Sequence, residues 1–194
     1  MRCWMIAVVL ALPPSAASVA SSPATPAEQA LESAQAFLKQ YLDTLVKAGE
    51  GKKPKPADVA RKLLGARKYL HPKTLELIAA QEKKGLAANS MSGLAAWNHA
   101  KADYWLTKFT LVAARPSDHG SVVVDTREHN WRVDEGGEDA ESEVASYLLA
   151  RVDGRWLLVE KRRNETFTDE AVKAGYPEYF ESDGKTAKQP AKTE

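Results

Sequence analysis

Apolar and polar residues alternate with a period of two from residue 104 onward, which is typical of half-buried β-strands. Four strands are predicted, over residues 104–114, 121–131, 143–152 and 155–163. The last two strands meet at Asp153-Gly154, a pair that tolerates the positive φ angles of a two-residue hairpin turn. Because the other links are also short, the strands are predicted to be antiparallel neighbours in a meander.

The first half of the chain has the three- and four-residue apolar spacing of helices. Residues 25–28 (Thr-Pro-Ala-Glu) match a capping box, and the apolar stripe that follows predicts a long helix ending at Gly49. Two shorter helices are predicted over residues 57–70 and 72–84, separated where His71 precedes a proline. Residues 86–102 either line a site or contain a short helix. Helices followed by strands predict an α+β domain.

The two ends of the chain differ from this domain in composition. Arg2, the apolar run 6–12 and the small residues 18–20 have the order of an export signal, so residues 1–20 are predicted to be a cleaved signal peptide. Residues 21–25 are then a linker, 26–182 a single domain and 183–194 a disordered polar tail. We therefore expect a secreted or periplasmic protein without a membrane span.

Charge and cysteine content exclude several classes of function. The chain has 27 Lys and Arg against 26 Asp and Glu, so removal of Arg2 with the signal leaves a neutral protein. Neutrality argues against nucleic acid and anionic lipid as partners. The single cysteine, Cys3, would be lost with the signal, and the four histidines lack metal-ligand spacing. No metal or cofactor is predicted, and the lysine-rich connector 50–56 is either a solvated loop or an anion-binding segment.

The order of the predicted elements, together with the hairpin, resembles that of a known superfamily. A long helix, two shorter ones and antiparallel strands that end in Gly154, Trp156, Leu158 and Val159 resemble the nuclear transport factor 2-like superfamily, which has a cystatin-like cone. The resemblance implies a curved sheet wrapped around helices, and in many members a dimer formed through the outer sheet face. The superfamily includes isomerases and dehydratases as well as non-catalytic binding modules, so the fold alone does not select a function.

A two-residue turn also fixes the register of the hairpin. It predicts that Tyr147 lies opposite Glu160, with Arg162 one step along, on the face that carries Trp156. Both faces are apolar near the turn, so each requires cover. A second subunit or the segment 167–180 can supply that cover, and we predict a homodimer.

These patterns favour a non-catalytic module that binds a small apolar ligand or a protein partner. The predicted ligand-binding residues are Tyr147, Glu160, Arg162, Trp156, Trp105 and Arg127, and no residue is assigned a catalytic role. Arg127 either lines the cavity or belongs to a solvated face. The alternative is an isomerase-like or dehydratase-like enzyme, in which Glu160 is the general base and Tyr147 the hydrogen-bond donor.

Overall fold

The computed structural model describes residues 24–51, 54–83, 104–132, 137–138, 142–176 and 179. Its helices are α1 (Pro26–Gly49), α2 (Pro56–Leu64), α3 (Pro72–Lys83) and α4 (Asp169–Gly175). Its strands are β1 (Tyr104–Pro116), β2 (Val122–Arg132), β3 (Gly137–Glu138), β4 (Glu143–Val152) and β5 (Arg155–Arg163). Two 3-10 helices, Gly65–Tyr69 and Asp118–Gly120, follow α2 and β1.

The four long strands form an open antiparallel sheet in the order β1, β2, β4, β5, and the short β3 pairs with the end of β2. The predicted meander and α+β class are therefore confirmed. Asp153 and Gly154 form the predicted turn, with φ angles of 49° and 74°. The predicted signal peptide, segment 86–102 and the polar tail 183–194 lie outside the described residues.

The helices begin and end close to the predicted positions. The capping box at the start of α1 is present: the Thr25 hydroxyl accepts from the Glu28 amide at 3.3 Å, and the Glu28 carboxylate accepts from the Thr25 amide at 2.7 Å. The second predicted helix is divided, since α2 ends at Leu64 and a 3-10 helix continues to Tyr69. His71 lies between the 3-10 helix and α3, where the break was predicted, and its Nδ1 accepts from the Lys73 amide at 3.1 Å.

One face of the sheet, the inner face, packs against α1. The inner face contributes Val122, Val124, Tyr147, Leu149 and Leu158 to the main core. The apolar stripe of α1 covers them with Ala34, Leu38, Tyr41, Leu42 and Leu45. The apolar residues that follow the 3.6-residue period of the helix therefore pack against those that follow the two-residue period of the strands, and together they form one core.

The opposite face, the outer face, is covered by the C-terminal segment of the same chain. Val123, Leu148, Ala150 and Val159 on the sheet pack with Phe167, Val172 and Tyr179 in a second apolar cluster. The prediction that both faces need cover is confirmed, and on the outer face the cover comes from Phe167, Val172 and Tyr179, which belong to the predicted segment. The apolar outer face that led us to expect a homodimer is therefore covered here by residues of the same chain. The homodimer stays a prediction.

The register of the hairpin is as predicted near the turn and wrong beyond it. Leu149 lies opposite Leu158, but Leu148 lies opposite Glu160, because Val159 is the extra residue of a β-bulge. The bulge is held by α3, whose Thr74 hydroxyl donates to the Val159 carbonyl at 2.8 Å. Every position after it shifts to the opposite face, so Tyr147 lies opposite Lys161 and not opposite Glu160.

Candidate functional site

A polar network lies on the inner face beneath α1, centred on the carboxylate of Glu128. Lys161 Nζ donates to Glu128 Oε2 at 2.5 Å, and the Tyr147 hydroxyl and the Thr126 hydroxyl both donate to Glu128 Oε1, the latter at 3.1 Å. Glu128 is only 1% exposed, and Tyr147 is completely buried. The two charges form an ion pair that is almost fully removed from water.

The network lowers the pKa of Glu128 and raises the pKa of Tyr147. Desolvation is the largest influence on Glu128, and alone it would raise the pKa of the carboxyl. The charge and hydrogen bond of Lys161, with the bonds from Tyr147 and Thr126, outweigh it and lower that pKa below its ordinary value. Burial, followed by the adjacent Glu128 charge, raises the pKa of Tyr147 well above its ordinary value. The folded chain therefore holds an ionised carboxylate and a neutral phenol.

This arrangement is suited to structure more than to proton transfer. A general base must reach the substrate proton within hydrogen-bond distance, directly or through one water. Both oxygens of Glu128 accept from neighbouring side chains, and a lowered pKa makes the carboxylate a weaker base. The Glu128 network thus lacks the properties of a poised catalytic acid or base.

Glu160 and Arg162 lie on the outer face, which corrects their predicted position in a cavity with Tyr147. Glu160 accepts hydrogen bonds from the Tyr176 hydroxyl and from Arg162 Nε, the latter at 3.2 Å. Burial first, and then the bond to Glu160, raises the pKa of Tyr176 to about 12. Arg162 also lies over the Phe167 ring, 4.3 Å from its centroid. These residues fasten the C-terminal segment to the sheet.

Two other predicted ligand-binding residues are also separated from one another. Trp156 belongs to the inner-face core, where its Nε1 donates to Ser33 Oγ on α1 at 2.9 Å. Arg127 is exposed on β2 and lies opposite Val144, so it follows the outer-face alternation. For Arg127 the solvated-face interpretation agrees with the structure, and the cavity interpretation does not.

The sixth predicted residue, Trp105, lines a cleft of about 590 Å³ between the end of α1 and the first two strands. Its indole stacks on that of Trp131, with ring centroids 6.3 Å apart and planes 15° from parallel. Trp131 is 37% exposed, whereas Trp105 is 6% exposed. The cleft is also lined, among the described residues, by Val46, Gly49, Glu50, Gly51, Pro54, Leu106 and Thr107. The cleft combines an apolar wall with a few polar groups, as small-molecule sites do.

Sequence reasoning missed Glu128 and Lys161 as partners of Tyr147, and Trp131 as the partner of Trp105. A signal existed for Glu128, because Val122, Val124, Thr126 and Glu128 alternate along β2 and the first two are strongly apolar. A carboxylate in that series is expected to be buried with a cationic partner. The partner itself depended on the bulge at Val159, which the sequence pattern does not reveal.

The described parts of the chain contain neither a group of metal ligands nor a membrane-spanning helix. There, no three His, Cys, Asp or Glu side chains are grouped closely enough to hold a metal ion. The helices found in those parts are also too short or too polar to cross a membrane. No family model, curated protein or solved structure matches the chain.

The shape of the cleft depends on a glycine. A Cβ added at Gly49 would overlap the Trp105 indole, whose Cγ would be only 2.9 Å away. We expect Gly49→Ala to displace Trp105 and to lower the free energy of unfolding by about 1–3 kcal/mol through overpacking. Urea denaturation measures the loss, and near-ultraviolet circular dichroism reports the displaced indole.

Gly65→Ala is the matched control for this substitution. Gly65 has right-handed helical dihedrals, and a Cβ added there meets no atom within 4 Å. That variant should be unchanged or more stable by about 0.4–1 kcal/mol. Equal stabilities for the two variants would contradict the steric role of Gly49.

Proposed function

We propose that the protein is an exported, nuclear transport factor 2-like module that binds a small apolar ligand without catalysing a reaction. The observation that carries this proposal is the cleft formed by Trp105 and Trp131. Its volume of about 590 Å³ falls within the roughly 300–1,000 Å³ of ordinary small-molecule sites. The exposed indole of Trp131 provides a flat apolar surface on which a ring or a hydrocarbon chain can lie.

The order of elements supports the superfamily assignment within the proposal. A long capped helix precedes two shorter helices, and an antiparallel sheet packs its inner face on the first of them. Pronounced curvature of this sheet into a cone, and export directed by residues 1–20, are parts of the same proposal. Two bulges in the β1 to β2 pairing support curvature, since bulges bend strands and increase their twist.

The enzymatic alternative loses the geometry on which it depended. It required Glu160 and Tyr147 to face one another in a cavity, but these residues lie on opposite faces of the sheet. Each is hydrogen-bonded to a different partner, Tyr176 for Glu160 and Glu128 for Tyr147. A binding role requires no convergent set of acid and base, so it fits the observed arrangement better.

Binding of the neutral fluorophore N-phenyl-1-naphthylamine tests this proposal. We expect the native protein to bind one equivalent with enhanced fluorescence, and Trp131→Ala to weaken that binding about two- to tenfold, because an aromatic pair contributes roughly 0.5–1.5 kcal/mol. Leu77→Ala is the control, since Leu77 is an exposed apolar residue of α3 outside the cleft lining. Absence of binding by the native protein, or equal affinities for the native protein and Trp131→Ala, would overturn the proposal.

A further inference from the structure

We infer that the ligand of the Trp105 and Trp131 cleft is an amphipathic anion, with an apolar body in this cleft and an anionic group in an adjoining basic cleft. This inference rests on the proposed function and adds the chemical class of the ligand. It also gives a role to Lys55 and Lys62, which the proposed function leaves unexplained.

The two clefts adjoin each other at the end of α1. A second cleft, of about 630 Å³, lies between the connector and α2. Glu50, Gly51 and Pro54 line both clefts, so the clefts are neighbours, and the inference places the two parts of one ligand on either side of these residues. On the far side of these shared residues the lining changes from indole rings to the charged side chains of α2.

Charge in the second cleft is predominantly positive. Its cations are Lys55, Arg61 and Lys62, and its carboxylates are Glu50 and Asp58. Arg61 is hydrogen-bonded to Asp58 within the first turns of α2, so these two charges largely compensate each other. Among the described residues of this cleft, the balance left to a ligand is two exposed lysines against the carboxylate of Glu50.

Both lysines are placed to meet an anion. The Lys62 ammonium donates to the Ala48 carbonyl at 3.4 Å, which positions it beside the end of α1. An ammonium carries three donors, so this bond leaves donors for a ligand oxygen. Lys55 is the N-cap of α2 and is exposed at the mouth of the same cleft. A neutral apolar ligand would use neither lysine.

A pair of fluorophores that differ by one charged group provides the test. 8-Anilinonaphthalene-1-sulfonate is N-phenyl-1-naphthylamine with an added sulfonate, so the ratio of their affinities isolates the contribution of the anion. We expect native protein to prefer the sulfonate, and Lys55→Gln/Lys62→Gln to reduce that preference about five- to tenfold, as two exposed ion pairs of roughly 0.5–0.7 kcal/mol each would. Affinity for the neutral fluorophore should not change.

Two further variants are controls. One removes a positive charge outside the clefts, and the other removes a negative charge inside them. Lys173→Gln removes an exposed lysine from α4, outside both cleft linings, and should leave the preference intact. Glu50→Gln removes the carboxylate shared by the clefts and should strengthen the preference. Added salt should weaken binding of the sulfonate alone.

The possible outcomes separate this inference from the proposed function. If the neutral fluorophore binds in a Trp131-dependent manner but the lysine variant keeps the same affinity ratio, the amphipathic anion is wrong and the cleft proposal stands. If neither fluorophore depends on Trp131, the cleft proposal fails as well. Binding that depends on Trp131, together with an affinity ratio that falls in the lysine variant and not in Lys173→Gln, supports both.

Discussion

Lys161→Met is expected to lower the free energy of unfolding by about 3–5 kcal/mol, because it leaves the buried Glu128 carboxylate without its cation. Glu128 and the Lys161 side chain are 1% and 8% exposed, so water cannot replace the lost partner without opening the core. A typical domain has a total stability of only about 5–15 kcal/mol. Urea denaturation at neutral pH measures the loss.

A double variant distinguishes the stranded charge from lost packing. Lys161→Met/Glu128→Gln removes both charges but keeps an amide oxygen that can accept from Tyr147 and Thr126. We expect it to recover most of the lost stability, since replacement of a whole buried ion pair is often neutral. Equal losses in the single and double variants would show that packing, not charge, explains the effect.

In the acid range, we expect the free energy of unfolding to increase with pH for the native protein and to decrease with pH for Lys161→Met. In the native chain the pKa of Glu128 is lowered on folding, so its contribution is complete above the ordinary value and is lost as pH falls through the folded pKa. Without Lys161, desolvation dominates and raises the folded pKa. Stability of the variant then decreases as pH rises through that raised value. Parallel pH profiles would contradict this account of Glu128.

Local patterns in the sequence predicted the elements of the fold well. The capping box at Thr25, the break at His71 and the turn at Asp153-Gly154 each depend on residues close together in the chain. Such features follow from backbone preferences and short hydrogen bonds, which a single segment determines. The element order then limited the packing to helices on one face of a meander.

The candidate site was predicted less well, because it depends on contacts between distant segments. The bulge at Val159 is stabilised by Thr74, which is 85 residues away in the sequence, and it reverses the face of every later residue in β5. An alternation rule applied without the bulge paired Tyr147 with Glu160, when its partners are Glu128 and Lys161. The one extra residue places Glu160 on the outer face, whereas the predicted site required it on the inner face beside Tyr147.

Cover of the outer face shows a second limit of the sequence pattern. Two apolar faces correctly predicted two covering layers, but a second subunit and the C-terminal segment satisfied that requirement equally. Phe167 decides between them near the turn, because it is 1% exposed and belongs to the same apolar cluster as Leu148 and Val159. The same contact makes Phe167 the position at which the outer face can be uncovered.

Phe167→Ala is expected to lower the free energy of unfolding by about 3–5 kcal/mol, the usual cost of removing a buried phenyl ring. The loss should be local at first: Arg162 and Tyr176 both contact the Phe167 ring, so the segment containing α4 should detach before the main core unfolds. Hydrogen exchange should therefore increase in residues 167–176 more than in α1.

Detachment would expose Val123, Leu148, Ala150 and Val159 together as an apolar patch. Such a patch favours association, so light scattering at micromolar concentration should give a larger mass for Phe167→Ala than for native protein. Phe109→Ala removes the same ring from the side of the main core and serves as the control. It should lose stability without self-association. If Phe109→Ala associates as strongly, general destabilisation explains the result, and the C-terminal segment does not protect the outer face.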